Sequence, residues 1–385
     1  MMQWTFEKSG RFYAQCADGL EDLARAELEG LGAEKAVPGF RGVMFSAGIP
    51  SLYRINYCTR LCSRILAPLL TFDCHSTKYL YKTASEMDWG AVFDVERTFA
   101  ISSNVSESAV RHSQYAALCL KDAIADHFRR CTGRRPDVER IAPDVWIDLH
   151  IHRNRATISL DTSGGSLHRR GYRTGRVKAP IQETVAAAML EMAEWNGATP
   201  LRDPMCGSGT ILAEALMRCT RTPAGYLRER FGFENMPGFD AASWAGVRRS
   251  CDALMQKPAD GMVAGGDADP LAVSAARTNL SALPWGQTVR VESRRFEDHE
   301  GCPGMTIVTN PPYGLRLGER GEAEATMKSF GDFLKRKCDG ASAFVYFGDR
   351  GLIGSIGLRP RWRRPLKNGQ LDGRLALFEI RGFGN

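Results

Sequence analysis

Apolar residues along this chain recur by turns with a period of two and with helical spacing, and the order of these stretches divides an N-terminal part from a C-terminal one. Phe12-Tyr13-Ala14-Gln15-Cys16 reads as a strand, Leu20, Leu23, Ala24, Glu27 and Leu28 mark an amphipathic helix, and Val43-Met44-Phe45 reads as another strand. Thr98 to Ile101 predicts a strand, Tyr115 to Phe128 a helix, and the alternation in Trp146-Ile147-Asp148-Leu149-His150-Ile151 a further strand. Both stretches suggest small α+β units. A Gly, Ser and Arg-rich linker from Thr162 to Lys178 follows, then a helix whose stripe of Ile181, Val185, Met189 and Met192 reads as core. Beyond it strands and helices alternate as far as Ala343–Phe347 and Leu375–Ile380, which predicts an α/β unit built on a mostly parallel sheet covered on both faces. An irregular insertion between Cys219 and Gly261 carries Tyr226, Phe231, Phe233, Phe239 and Trp244, whose simplest role is to pack it down and whose sharper role is a lid over a substrate entrance.

The chemistry sits where predicted strands end. Leu201-Arg202-Asp203 leads through Pro204-Met205-Cys206-Gly207-Ser208-Gly209 into a helix beginning at Thr210, the shape of a nucleotide cradle. Gly207 and Gly209 admit close backbone approach, and the helix N-terminus presents unpaired N–H groups. It is not a dinucleotide fingerprint, because Leu212 holds the third glycine position; nor is it a phosphate loop, because no Lys follows Gly209. Hydride transfer is thereby disfavoured. Asp267 ends the next predicted strand and can accept ribose hydroxyls, Asp269 suits an N-cap, and Asp298 follows Val289-Arg290-Val291 where it could meet an adenine amine. Last comes Asn310-Pro311-Pro312-Tyr313 after Met305-Thr306-Ile307-Val308-Thr309. Alone it could be a turn. In this setting the Asn310 carboxamide and a stiffened backbone carbonyl at Pro311 can each accept from one exocyclic –NH2 while Tyr313 offers a stacking face.

Asp203 to Thr210 together with Asn310 to Gly314 resembles the S-adenosylmethionine-dependent methyltransferases that act on exocyclic amines of nucleic-acid bases. Ser159 to Gly164, Leu167 to Arg173, Ala179 to Thr184 and Lys367-Asn368-Gly369 resemble more narrowly the bacterial 23S rRNA (guanine-N2)-methyltransferases with a THUMP domain, as do Phe12-Tyr13-Ala14, Gly19-Leu20-Glu21 and Glu27-Leu28 near the start. The resemblance implies a ferredoxin-like unit over residues 1–70, a THUMP RNA-binding domain over 71–165, and a Rossmann-like class I methyltransferase domain over 166–385. It implies S-adenosyl-L-methionine as cofactor, held by Asp203, Cys206, Gly207, Gly209, Thr210, Asp267 and Asp298, and guanine-N2 methylation by direct displacement at Asn310, Pro311 and Tyr313. Leu315 departs from the family, which usually has an acidic residue there. Some members continue into a second methyltransferase; with the last residue at Asn385, one activity is expected here. Readings kept open beside it are a tRNA guanosine-N2 enzyme, a DNA adenine-N6 enzyme and a non-catalytic RNA-binding assembly factor.

Composition sharpens the partner. The 385 residues carry a net charge of +7, and Arg outnumbers Lys 40 to 11, which favours forked phosphate contacts. Arg153, Arg155, Arg169, Arg170, Arg173, Arg176 and Lys178 crowd one stretch whose only acid is Asp161, and Arg359, Arg361, Arg363, Arg364 and Lys367 form a second acid-free cluster. A charge run is ordinarily solvated surface; beside a base-handling site the first cluster reads as an RNA contact. Eleven scattered cysteines without a CxxC pair predict reduced thiols in the cytoplasm and no metal, with Cys206 a small packing residue. The apolar runs are too short for a membrane span.

Overall fold

The computed structural model describes residues 4–173, 181–312 and 320–381. The first half runs α1 (Thr5–Ser9), β1 (Arg11–Cys16), α2 (Glu21–Gly30), β2 (Glu34–Gly39), β3 (Gly42–Ser46), α3 (Ile49–Cys58) and β4 (Cys62–Asp73). It continues through α4 (Thr77–Ser85), β5 (Phe99–Ser106), α5 (Ser113–Thr132), β6 (Val145–His152) and β7 (Arg155–Asp161). All seven strands lie in one sheet, in the order β2-β3-β1-β4-β7-β6-β5. The long β4 pairs antiparallel with β1 near its start and with β7 from Leu66 onward, so the units expected on either side of residue 70 hold one hydrogen-bonded sheet between them. Alternation decides which face is covered: Phe12, Ala14 and Cys16 of β1 are buried and the residues between them are not.

The second half runs α6 (Glu183–Met192), β8 (Leu201–Asp203), α7 (Thr210–Cys219), α8 (Ala241–Asp252), β9 (Val263–Asp267), α9 (Pro270–Ser281) and β10 (Arg290–Ser293). β11 (Thr306–Thr309), α10 (Arg320–Lys337), β12 (Ser342–Phe347), β13 (Trp362–Asn368) and β14 (Leu371–Glu379) complete it. The sheet order is β10-β9-β8-β11-β12-β14-β13. The first five of these strands are mutually parallel, and β14 turns antiparallel against β12 and β13. The mostly parallel α/β sheet expected from the pattern is therefore present. The order reverses at β8, and ligands of open α/β sheets bind beyond the carboxyl ends of strands at such a reversal. α6 is buried on more than its expected stripe, Glu191 being the only one of its residues left partly exposed, as suits a helix wedged between α7 and β13.

The halves meet over a packed seam. Residues expected to form a linker are instead a strap: Leu167 N donates to Ser63 O at 2.7 Å, Thr162 Oγ1 to Ile65 O at 2.9 Å, and Asn56 Nδ2 to Thr162 Oγ1 at 3.0 Å. The aromatic insertion docks beside it. Phe233 lies 4.5 Å from Tyr53 and Trp244 lies 5.3 Å from Tyr57, ring centre to ring centre, while Tyr57 donates its hydroxyl to Asp252 at 2.7 Å. These rings fasten α8 to α3 of the first half, so packing rather than a lid accounts for them.

Candidate active site

Three strand ends converge at the reversal. β8 stops at Asp203, whose side chain is buried, and Thr309 at the end of the adjoining β11 donates its hydroxyl to Asp203 Oδ1 at 2.7 Å. Burial pushes the Asp203 carboxyl up to about 7; the Thr309 and Met205 hydrogen bonds pull the other way, and the nearby Asp267 adds to the rise. The turn after β8 is pinned by backbone bonds, Cys206 N to Gly266 O at 2.9 Å and Gly209 N to Cys206 O at 2.8 Å. Gly207 and Gly209 both have positive φ, at 53° and 78°. At Gly209 a side chain would also strike Ala276 on α9, with 3.0 Å between the two Cβ atoms.

Asp267 ends β9 and ties the turn to it, accepting from Gly207 N at 2.8 Å through Oδ2 and from Asp269 N at 2.9 Å through Oδ1. Further lone pairs remain on each oxygen. Asp269 caps α9 by accepting from Leu271 N at 2.9 Å, as its position foretold. Thr210 is buried at the start of α7 and its hydroxyl accepts from Arg173 Nη2 at 3.0 Å. The Cys206 thiol is buried and pushed well above its ordinary pKa by desolvation, which suits a packing residue and disfavours a nucleophile. Asp298 lies exposed on a short turn past β10 and makes no side-chain hydrogen bond or ion pair among the described residues.

Asn310 follows Thr309 directly. Its Oδ1 is buried and accepts no hydrogen bond among the described residues, and Pro311 beside it is buried as well. An acceptor removed from water without a donor is unfavourable by about 1–3 kcal/mol, so this atom is available to a donor beyond the described residues. Tyr313, Arg176 and Lys178 lie outside the described residues. No helix is long and apolar enough to cross a membrane, and among the described residues no group of three or more His, Cys, Asp or Glu could hold a metal ion.

The arginines expected to meet RNA divide sharply. Arg170 does not: its side chain is 1% exposed, with Nε 3.2 Å from Glu214 Oε1, Nη1 donating to Leu167 O at 2.8 Å and Nη2 to Arg60 O at 2.7 Å. Its donors are taken up by Glu214 of α7 and by carbonyls of Leu167, Thr59 and Arg60, which leaves no surface for a phosphate. Arg173 is also drawn inward, bonding Glu183 Oε1 through Nε at 3.1 Å and Thr210 through Nη2, and so links α6 to α7. Arg153, Arg155 and Arg169 are exposed, Arg153 pairing with Glu107 at 2.9 Å. Sequence reasoning missed Thr309, whose place just before Asn310 was the only signal, and Asn279 of α9, which donates to Ser208 O at 3.0 Å and braces the turn.

The residues fit S-adenosylmethionine on observations of this structure. Nothing lies within 4 Å of where a Cβ on Gly207 would stand, so the cradle opens on free space; carboxylates able to face a cationic ligand end β8 and β9, and an acceptor unpaired among the described residues follows β11. Comparison with known proteins agrees. Residues 11–66 match the RlmL ferredoxin-like domain, 74–161 the THUMP domain, and 170–376 the RMKL-like methyltransferase domain. A Synechocystis protein named provisionally as an RNA methyltransferase is 37% identical over 371 residues, 96% of each chain. The ribosomal RNA large subunit methyltransferase K/L of Syntrophotalea carbinolica is 37% identical over 387 residues, covering 96% of this chain and 53% of that one, so this chain spans about half the length of its K/L relatives. The solved structure of SMU.472, described provisionally as a methyltransferase and complexed with S-adenosylhomocysteine, superposes with a TM-score of 0.83 at 25% identity, covering 97% of this chain and 98% of the other. By its strand-end residues, its fold and these matches, the chain belongs to the RMKL-like family of S-adenosylmethionine-dependent methyltransferases.

Proposed function

We propose that this protein methylates the exocyclic N2 amine of a guanine in 23S rRNA, in the cytoplasm. The observation that carries the reading is the buried Oδ1 of Asn310, without a hydrogen-bond partner among the described residues and held one residue from the Thr309–Asp203 contact. S-adenosylmethionine supplies an electrophilic methyl on a sulfonium, so the protein's task is chiefly placement. The Gly207–Gly209 turn with Asp203 and Asp267 orients the donor. Asn310 Oδ1 and the carbonyl oxygen of Pro311 each accept one N–H of the amine, letting the nitrogen pyramidalise and gather positive charge against fixed dipoles. Tyr313 stacks the base, which leaves its helix at roughly a few kcal/mol. The proton is lost after transfer, and no covalent enzyme intermediate is needed. Support for the RNA substrate comes from the THUMP match and from the names of the K/L relatives.

Two measurements test this together. Mass-spectrometric mapping of 23S rRNA from cells with and without the gene is expected to show one N2-methylguanine lost with it. The purified chain is expected to transfer radiolabelled methyl to unmodified 23S transcript in preference to tRNA or duplex DNA. Transfer to tRNA guanine or to DNA adenine, with the 23S transcript untouched, overturns the reading.

A further inference from the structure

A cavity of about 530 Å³ lies where four parts of the chain meet: β4, β6 with its preceding loop, the strap after β7, and the insertion between α7 and β9. Five of its lining residues are Arg and two are acidic, namely Arg64, Arg140, Arg169, Arg228 and Arg230 against Asp144 and Glu229. How those charges are compensated matters more than their number. Arg64 is neutralised by the buried Asp161 and lies over the Trp146 ring at 5.2 Å. Arg230 shares Asp144 with Arg97, each at 3.7 Å. Arg140 and Arg169 are exposed and have no hydrogen-bond or ion-pair partner for their guanidinium groups among the described residues.

Arg228 is the unusual member. Its guanidinium donates only to carbonyls of the strap, Ser166 at 3.1 Å and Arg169 at 3.2 Å through Nη1, and Ser163 at 2.9 Å and Gly164 at 3.4 Å through Nη2. Four carbonyl dipoles hold it, Asp161 is the carboxylate whose field reaches it, and its Nε is buried without a partner among the described residues. Burial pulls its pKa down to about 10, which still leaves it cationic at neutral pH. The strap thus holds a fixed cation, its nearby carboxylate Asp161 already paired with Arg64, beneath the wall from which Arg169 projects. Trp146 adds a partly exposed ring whose Nε1–H makes no hydrogen bond among the described residues.

We infer that this cavity binds the sugar–phosphate backbone of the RNA substrate where it passes from the first half of the protein to the catalytic half, with Arg140 and Arg169 forking onto phosphates, Arg228 supplying the field and the Trp146 N–H a further donor. The inference rests on the RNA reading above and deepens it. Guanidinium forks suit phosphate oxygens, and a site fixed to the strap acts as a ruler between the place where RNA is held and the place where its base is methylated. Arg153 and Arg155, which the sequence groups with Arg169, lie on the β6–β7 turn and are not among the residues lining it.

The test uses the full chain and an unmodified 23S rRNA transcript, with binding measured between 50 and 200 mM salt. Arg140→Glu/Arg169→Glu is compared with Arg25→Glu/Arg290→Glu, which changes the net charge equally at sites on α2 and β10 that do not line the cavity. The cavity variant is expected to bind RNA at least about tenfold more weakly, with a log–log salt slope shallower by about one to two, while its unfolding midpoint and S-adenosylmethionine affinity match the unaltered chain. The matched variant is expected to keep most of the affinity. Equal weakening in both variants, or none in either, overturns the site; so does loss of cavity-dependent binding to 10 mM inorganic phosphate, which would mark a small-anion site. Failure of the unaltered chain to bind the transcript is a separate outcome that sinks the RNA reading itself and this site with it.

Discussion

Two regions of this molecule bury polar side chains deeply, and they treat them in opposite ways. At the seam between the halves, Arg170 sits against Glu214 at 3.2 Å, Arg60 approaches the same carboxylate at 3.9 Å, and the remaining Arg170 donors meet carbonyl oxygens. Charges there face opposite charges and carbonyl dipoles of the chain itself, although Arg60 Nη1 and Glu214 Oε2 make no hydrogen bond among the described residues. At the strand ends, burial beside Asp267 raises the Asp203 pKa to about 7, and Asn310 Oδ1 has no donor among the described residues. One region sets its charges against partners from both halves of the chain, and the other presents an acceptor that has no donor among the described residues. The contrast separates residues that hold the domains together from residues that handle a substrate, although both look equally polar in the sequence.

The sharpest way to break this division is Arg170→Ala. If Arg170 belongs to the seam, the change strands Glu214 as a buried charge and destabilises the fold by roughly 3–5 kcal/mol, read from denaturant unfolding. A variant that unfolds normally but loses RNA affinity would return Arg170 to the RNA surface and dissolve the distinction. Replacing Arg170 and Glu214 together with apolar residues should recover much of the loss, since removing both members of a pair is far milder than removing one.

Asn310→Ala probes the other side. Its carboxamide oxygen forms no hydrogen bond within the described residues, so the free protein is expected to change by no more than about 1 kcal/mol, in either direction. Methyl transfer is expected to fall by about 10²–10³-fold, the usual consequence of removing a preorganised polar group that faces developing charge. RNA binding should persist. Normal turnover in the radiolabelled assay would remove Asn310 from the chemistry.

The pH dependence of Asp203 is smaller and has a definite sign. Its folded-state pKa, about 7, lies above the ordinary 3.8. Between those values the native chain retains a proton that the unfolded chain has released, so this contribution to stability is full below about pH 4 and is lost as the pH rises through 7. Unfolding free energy should be about 1.4 kcal/mol lower at pH 8 than at pH 6 from this group alone, and Asp203→Asn should flatten that difference. Affinity for S-adenosylmethionine should run the other way, rising from pH 6 to pH 8, because a cationic ligand favours the ionised carboxylate. Calorimetry at the two pH values checks both trends, and parallel rather than opposed trends would exclude Asp203 from the donor site.

What the sequence revealed followed the range of the interactions. Asp203, Gly207, Gly209, Asp267 and the Asp269 cap were legible because each depends on neighbours a few residues away: a strand, a turn that needs glycine, a helix start. Pairings between distant residues were not. Thr309 reaches Asp203 across 106 residues and Arg170 reaches Glu214 across 44, and only the strand order brings either pair together. The charge run misled for the same reason, since counting treats every Arg alike whereas burial separates Arg170 from Arg169 one residue apart. The insertion's aromatics announced a packed surface, but nothing local could say that Tyr53 and Tyr57 of α3 would be their partners.

The smallest expected effect tests where the RNA surface stops. Arg153 is highly exposed on the β6–β7 turn and its guanidinium already engages Glu107 at 2.9 Å. A solvated pair of this kind adds little to stability, so Arg153→Ala should leave the unfolding midpoint in place. Its phosphate contact, if made, would have to be bought from Glu107, so RNA affinity should fall by less than about threefold with only a slight change in salt slope. A tenfold loss would mean that the RNA path crosses the β6–β7 turn. The cavity between strap and insertion would then be one stop on a longer track, and the boundary between structural and substrate-facing arginines would have to be moved outward from Arg169 to include Arg153.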